Sequence, residues 1–199
     1  MTISNGYCTL AELRARLQFE TADTTEDTRL EEVVESASRW IDNYCNRFFY
    51  TTTEARYFTA ESSKMVWVDD LVSATELATD DTGTGVYSNV WDSTYYYLYP
   101  YNSSGKKEPY NGLQVSPLSI YNYPTYPHAI KITGAWGWAF TTAPEAIKEA
   151  CLLMAARLYQ RKSAVFGVQG ANALGSTSIS SIPVDNDVKT LLARYIKRY

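Results

Sequence analysis

The apolar residues Leu30, Val33, Val34, Ala37, Ile41, Tyr44, Cys45 and Phe48 keep the i, i+3, i+4, i+7 spacing of one helical face, and at Phe49 that pattern stops. From there to about Phe140 the chain is dense in Thr, Tyr, Val and Trp and broken by Gly, Pro, Asn and Asp, the vocabulary of strands and turns. Helical spacing returns behind Pro144 with Ile147, Ala150, Cys151, Met154, Ala155 and Leu158. Such an interruption fixes the class as α+β: a helical core that the chain leaves and re-enters around a long β-rich insertion. At 199 residues, with 45% hydrophobic and 20% charged content, one core with an elaboration is what the length allows.

The elements follow from local signals. Thr9 and Glu12 form a capping-box pattern, so a short helix is expected over about 10–17. Acids Glu26 and Asp27 at one end and Arg47 at the other place the long helix at about 26–46. Candidate strands are ARYFT, KMVWV, ATELA, YYYLY, LQVS and AIKITGAWGW. In the last of these Ile130, Ile132, Trp136, Trp138 and Phe140 share one parity, which makes one strand face bulky and apolar. The Gly- and Ser-rich stretch 163–184 reads as a flexible loop. Asp185 or Asp187 then caps a final helix with the face Val188, Leu191, Leu192, Tyr195 and Ile196 and the basic flank Arg194, Lys197 and Arg198. The expected organisation is a small bundle of about four helices over 1–48 and 141–199, with the β-rich insertion over 49–140 between the second and third helices.

Charge and chemistry exclude several classes. A net charge of −4 and a pI near 5.1 argue against the basic surface that DNA or anionic membranes require. Apolar runs such as ACLLMAARL fall short of the roughly 20 residues that cross a bilayer, and neither a signal segment nor a membrane partner is expected. Cys8, Cys45 and Cys151 are far apart and form no C-x-x-C pair, so they read as reduced thiols and not as a metal site. Asp81, Thr82 and Gly83 spell the aspartic-peptidase triplet, but that chemistry needs two carboxylates sharing a proton, and TDDTGTG reads as a hairpin turn. His128, the one histidine, has no partner marked in the sequence and reads as a strand-edge residue. No catalytic residue, cofactor or metal is expected. Seventeen tyrosines, with Tyr95, Tyr97, Tyr99 and Tyr101 closely spaced, exceed what one small core absorbs and suit either a subunit interface or a stacking platform for sugars.

The ordered series SASRWIDNYCNRFF, RYFT, VWVDDL, ITGAWGW and PEAIKEACLLMAARLYQRKSAVFGVQG resembles the head-to-tail connector, or head-completion, proteins of tailed bacteriophages, over residues 7 to about 199. Ile41, Tyr44, Cys45, Arg47 and Phe48 match the end of that family's long helix, and Arg56, Tyr57 and Phe58 its first strand. Asp69, Asp70 and Leu71 match its acidic turn. Gly134, Trp136, Gly137 and Trp138 match the strand that returns to the helical core, followed by Pro144, Ile147, Ala150, Ala155, Leu158 and Arg161 in the next helix. Asn46 stands where the resemblance implies glycine.

The resemblance implies a structural virion protein of the neck, made in the host bacterial cytoplasm, and no enzyme. Copies would form a ring, on the order of twelve for closed heterologous symmetry, under the portal protein. That ring would extend the DNA channel, pass genomic DNA without sequence-specific binding, and present the surface for the next connector or tail-completion protein. Within it, Trp136, Trp138, Gly134, Gly137, Tyr44 and Phe48 are expected to clamp the insertion where it leaves and re-enters the core. The final helix is expected to meet the portal through Val188, Leu191, Leu192, Tyr195, Ile196, Arg194, Lys197 and Arg198, and Tyr95, Tyr97, Tyr99 and Tyr101 to meet a neighbouring copy. The competing readings are a tyrosine-rich, glycan-binding tail module and, remotely, a peptidase working through Asp81.

Overall fold

The structure is a computed structural model and describes residues 3–20, 24–138, 143–161 and 186–197. The loop expected over 163–184 lies outside the described residues, as do Phe140, Asp185 and Arg198. In chain order the elements are α1 (Leu10–Arg16), α2 (Asp27–Cys45), β1 (Thr52–Phe58), β2 (Met65–Thr79), β3 (Asn89–Trp91), β4 (Tyr96–Tyr99), α3 (Ser103–Lys106), β5 (Tyr110–Val115), β6 (Ile130–Trp136), α4 (Glu145–Gln160) and α5 (Asn186–Leu192), with 3-10 turns at Ser93–Tyr95 and Ala193–Tyr195. The class is α+β, with the β-rich region, which holds the one-turn helix α3, lying between α2 and α4. The chain divides into two compact units, Met1–Arg47 with Ala143–Tyr199, and Phe48–Thr142.

In the helical unit, α1 starts on the capping box: the Glu12 N–H donates to Thr9 Oγ1 at 3.2 Å and the Thr9 N–H donates to Glu12 Oε2 at 2.9 Å. The stripe Leu30, Val34, Ala37, Ile41 and Cys45 of α2 is buried, and α2 packs on α4 through Ile147, Ala150, Cys151 and Ala155. Small residues on α4 allow that approach, and each fully buried Leu or Ile contributes about 1.5–3 kcal/mol. Asn46 ends α2 in the left-handed conformation, φ 53 and ψ 41, and its N–H donates to the Asp42 carbonyl. Asparagine is the side chain after glycine best suited to that cap, so the position keeps a glycine-like backbone.

The β unit is one six-stranded antiparallel sheet ordered β1-β6-β2-β5-β4, with β3 pairing onto β2. KMVWV and ATELA, expected as two strands, are one strand of 15 residues. Bulges against β6 between Leu71 and Ser73 and between Ala74 and Glu76 shift the side-chain parity, and a parity shift reads in sequence as a break. Asp69, Asp70 and Leu71 therefore lie inside β2, and the acidic turn expected there is absent; a bulge bends the strand without ending it. Val66, Val68, Leu71, Leu77, Leu113, Ile130, Ile132 and Trp136 form the buried side of the sheet. Trp91 closes it, stacked on Tyr123 at 4.9 Å, with its indole N–H donating to Thr79 Oγ1 at 3.2 Å.

Candidate functional site

Three surfaces carry the residues singled out by the sequence. The first is the place where the β unit begins and ends. On β6, Ile130, Ile132, Gly134 and Trp136 are buried while Lys131, Thr133 and Ala135 are half-buried, the alternation of a strand with one face on a core. Trp136 donates from its indole N–H to the Glu54 carbonyl at 2.9 Å, packs on Phe58 at 5.4 Å and carries the Arg56 guanidinium 4.8 Å from its ring centre. The Trp138 N–H donates to the Phe48 carbonyl at 2.9 Å, and its ring meets Phe49 at 6.0 Å. Gly134 lets β2 approach, since a Cβ there would sit 2.3 Å from the Ser73 carbonyl oxygen. Gly137 has φ +123, and a Cβ on it would sit 2.0 Å from the Tyr50 carbonyl oxygen. Tyr44 lies in the helical unit, stacked on Trp40 at 4.9 Å.

The second surface is the β4 edge. Tyr96 points into the core, while Tyr97 is 46% and Tyr101 56% exposed. Tyr95 falls in the 3-10 turn, half-buried against Tyr121 at 5.7 Å, and so leaves the row expected of it. Trp67, which the tyrosine spacing does not mark, joins the row: Trp67 and Tyr99 both lie opposite Gly112, and their rings meet edge-on at 5.8 Å above it. Tyr99 and Tyr97 each meet Tyr101 edge-on, at 5.7 and 6.2 Å. Glu61 accepts from the Trp67 indole N–H and Gln114 accepts from the Tyr101 hydroxyl. The signal that finds Trp67 is parity, because it alternates with buried Val66 and Val68 and so faces outward.

The third is the final helix. Val188 and Leu192 are buried, α5 packs on α4, and the helix ends at Leu192 in a 3-10 turn. The backbone is extended at Ile196, and the Lys197 N–H donates to the Cys45 carbonyl at 2.9 Å. Val188 and Leu192 thus complete the chain's own helical unit. Of the residues expected to meet a portal, Arg194 is exposed and Leu191, Tyr195, Ile196 and Lys197 are half-buried.

The peptidase triplet has a turn's geometry. Asp80, not Asp81, organises it: its carboxylate accepts from the Thr82 N–H at 3.0 Å, the Gly83 N–H at 2.9 Å, the Gly85 N–H at 2.6 Å and the Thr82 hydroxyl at 3.1 Å. Burial opposes ionisation of Asp80, but these donors outweigh it and hold the carboxyl at about 2. Asp81 accepts from Thr79 Oγ1 at 2.8 Å and Asn89 Nδ2 at 2.9 Å. His128 is exposed at φ 58, with its N–H on Thr59 Oγ1 and its carbonyl accepting the Tyr87 hydroxyl at 2.6 Å. Among the described residues no group of three or more His, Cys, Asp or Glu is placed to hold a metal, and no helix is long and apolar enough to cross a membrane.

The fold is shared with chains of gene transfer agent particles. A chain from the neck of an empty gene transfer agent (GTA) particle, with C6 symmetry, matches at TM-score 0.59 and 17% identity over 100% of this chain and 94% of that one. A chain from the neck of a native GTA particle, with C12 symmetry, matches at 0.58 and 16%, covering 100% and 93%. A chain from the virion of a native GTA particle matches at 0.59 and 16%, covering 100% and 94%. No protein-family model and no curated protein matches the sequence.

Proposed function

We propose that this chain is a structural neck protein of a phage-like particle, working as a connector ring between capsid and tail. The observation that carries the reading is the end-to-end correspondence of fold with chains of GTA necks, which extends over 100% of this chain and 94% and 93% of those chains. The structures of those necks were computed with C6 and C12 symmetry, which suits a ring of about twelve copies built on a heterologous interface, one patch of each copy meeting a different patch of the next. The aromatic row Trp67, Tyr97, Tyr99 and Tyr101 is the patch best suited to that role: aromatic rings give large contact area at low entropic cost, and interface cores are enriched in them. The portal protein on one side and a further connector or tail-completion protein on the other are the proposed partners. Arg194, Tyr195, Ile196 and Lys197 are the C-terminal residues proposed for such contacts. An acidic ring passes DNA without holding it, because like charge repels the phosphates. In this reading the chain assembles and does not catalyse, and Trp136, Trp138, Gly134, Gly137 and Phe48 clamp the β unit shut.

Negative-stain electron microscopy of the purified protein, alone and mixed with portal from the same particle, tests this directly. Rings that dock coaxially on portal are expected. A second reading, glycan binding, draws on the same exposed aromatic row flanked by Glu61 and Gln114. A monomer that ignores portal but binds purified oligosaccharides would replace the connector reading with that one.

A further inference from the structure

Two of the three cysteines, separated by 143 positions, meet inside the helical unit. Cys8 Sγ and Cys151 Sγ lie 3.3 Å apart, with 4% of Cys8 and none of Cys151 exposed, and both are free thiols. The approach is built by the chain around it. The N-terminal segment is held along α2 by the Tyr7 N–H on Ser38 Oγ at 3.1 Å, the Tyr7 hydroxyl on Asp42, and Arg39 donating to the Asn5 carbonyl at 2.9 Å. Ser38 Oγ is 3.4 Å from Cys151 Sγ, so a polar group flanks the sulfur pair in an otherwise apolar interior.

The geometry points to Cys8 and Cys151 as a modification site, an intrachain cross-link that a peroxide installs between the N-terminal segment and α4. Bonded sulfurs lie about 2.05 Å apart, so closure needs a movement of little more than 1 Å, within reach of side-chain rotation. The hydrogen bond from Cys8 favours ionisation of Cys151 against the opposing effect of burial, and it keeps the proton on Cys8. The Cys151 thiolate attacks one peroxide oxygen. The O–O bond breaks, hydroxide leaves and takes up the proton that Cys151 released, and a sulfenic acid remains. The Cys8 sulfur then attacks that sulfenic sulfur, the S–O bond breaks, and the oxygen departs as water with the Cys8 proton. Two thiols and one peroxide become one disulfide and two waters. Cys45 is also buried, and burial pushes its thiol up to about 11, but it sits at the far end of α2 from Ser38 and serves as an internal control. The inference is independent of the neck reading.

The test treats native full-length protein with hydrogen peroxide, quenches it, denatures it, alkylates remaining thiols and maps peptides by mass. Expected are a linked pair of peptides carrying Cys8 and Cys151, a loss of two hydrogens, alkylation at Cys45, and restoration of all thiols by dithiothreitol. Cys45→Ser should give the same bridge, which keeps the result readable if Cys8→Ser or Cys151→Ser fails to fold. The idea is overturned by a bridge that includes Cys45, by one that forms only after denaturation, or by oxidation of Cys8 and Cys151 to sulfinic acids or their full alkylation with no bridge.

Discussion

Gly137 and Asp80 each hold a piece of backbone that few other side chains would permit. At Gly137 a methyl group would meet the Tyr50 carbonyl at 2.0 Å on a backbone with φ +123, so Gly137→Ala combines strain with a clash. We expect it to cost on the order of 3 kcal/mol, and Trp138→Ala a similar amount through lost burial. For a chain of this size that is a fall of about 6 to 12 °C in Tm. Melts of either variant within a degree or two of wild type would sink the closure argument. Gly85, also at positive φ but with open space around it, should tolerate alanine at about 1 kcal/mol. Asp80 gives the pH prediction. Its folded value of about 2 lies below the unfolded value of about 3.9. The stabilisation is therefore complete above about pH 4 and is lost as pH falls through 2. An acid titration followed by near-ultraviolet circular dichroism should show this loss in wild type and a flatter curve in Asp80→Asn. The sequence reads TDDTGTG as a turn without saying which of its two carboxylates organises it. The carboxylate two residues before Thr82 and three before Gly83 is the position that turn chemistry selects.

Among the elements, those with strong local periodicity were legible. Thr9 and Glu12 marked the start of α1, and the 3.6-residue stripe placed α2 to within a residue at each end. β2 was not, because its two bulges switch which parity faces the core, and no single alternation runs through it. The partner of the final helix is not legible for a different reason. An apolar face shows that a helix needs a surface, not whose surface it is. Val188 and Leu192 are buried against the chain's own unit, so Leu192→Ala should cost about 2–5 kcal/mol in chemical denaturation, whereas Arg194→Ala should cost less than about 0.5 kcal/mol. Equal effects from the two would overturn this placement. The meeting of Cys8 with Cys151 was hidden from the sequence, since nothing local links positions so far apart.

For the molecule as a whole, the aromatic row at the β4 edge and the proposed ring are linked by one experiment. Tyr97 and Tyr101 are about half exposed, so Tyr97→Ser with Tyr101→Ser should leave the circular dichroism and melting of the chain nearly unchanged. If the row joins copies, the same double variant should run as a monomer by native mass spectrometry where wild type forms rings. A double variant that still closes rings would move the interface elsewhere. β6 is the last strand of the β unit to be translated, yet it lies between β1 and β2 and supplies the ladder partner of β1. A nascent chain that has reached only Ala129 carries β1 without that partner and one side of β2 unpaired, and both are templates for another chain. Until Trp136 emerges, the first strand made must wait, and the interval in which neighbouring nascent chains can mispair is set by the speed of translation across the intervening 70 or so residues.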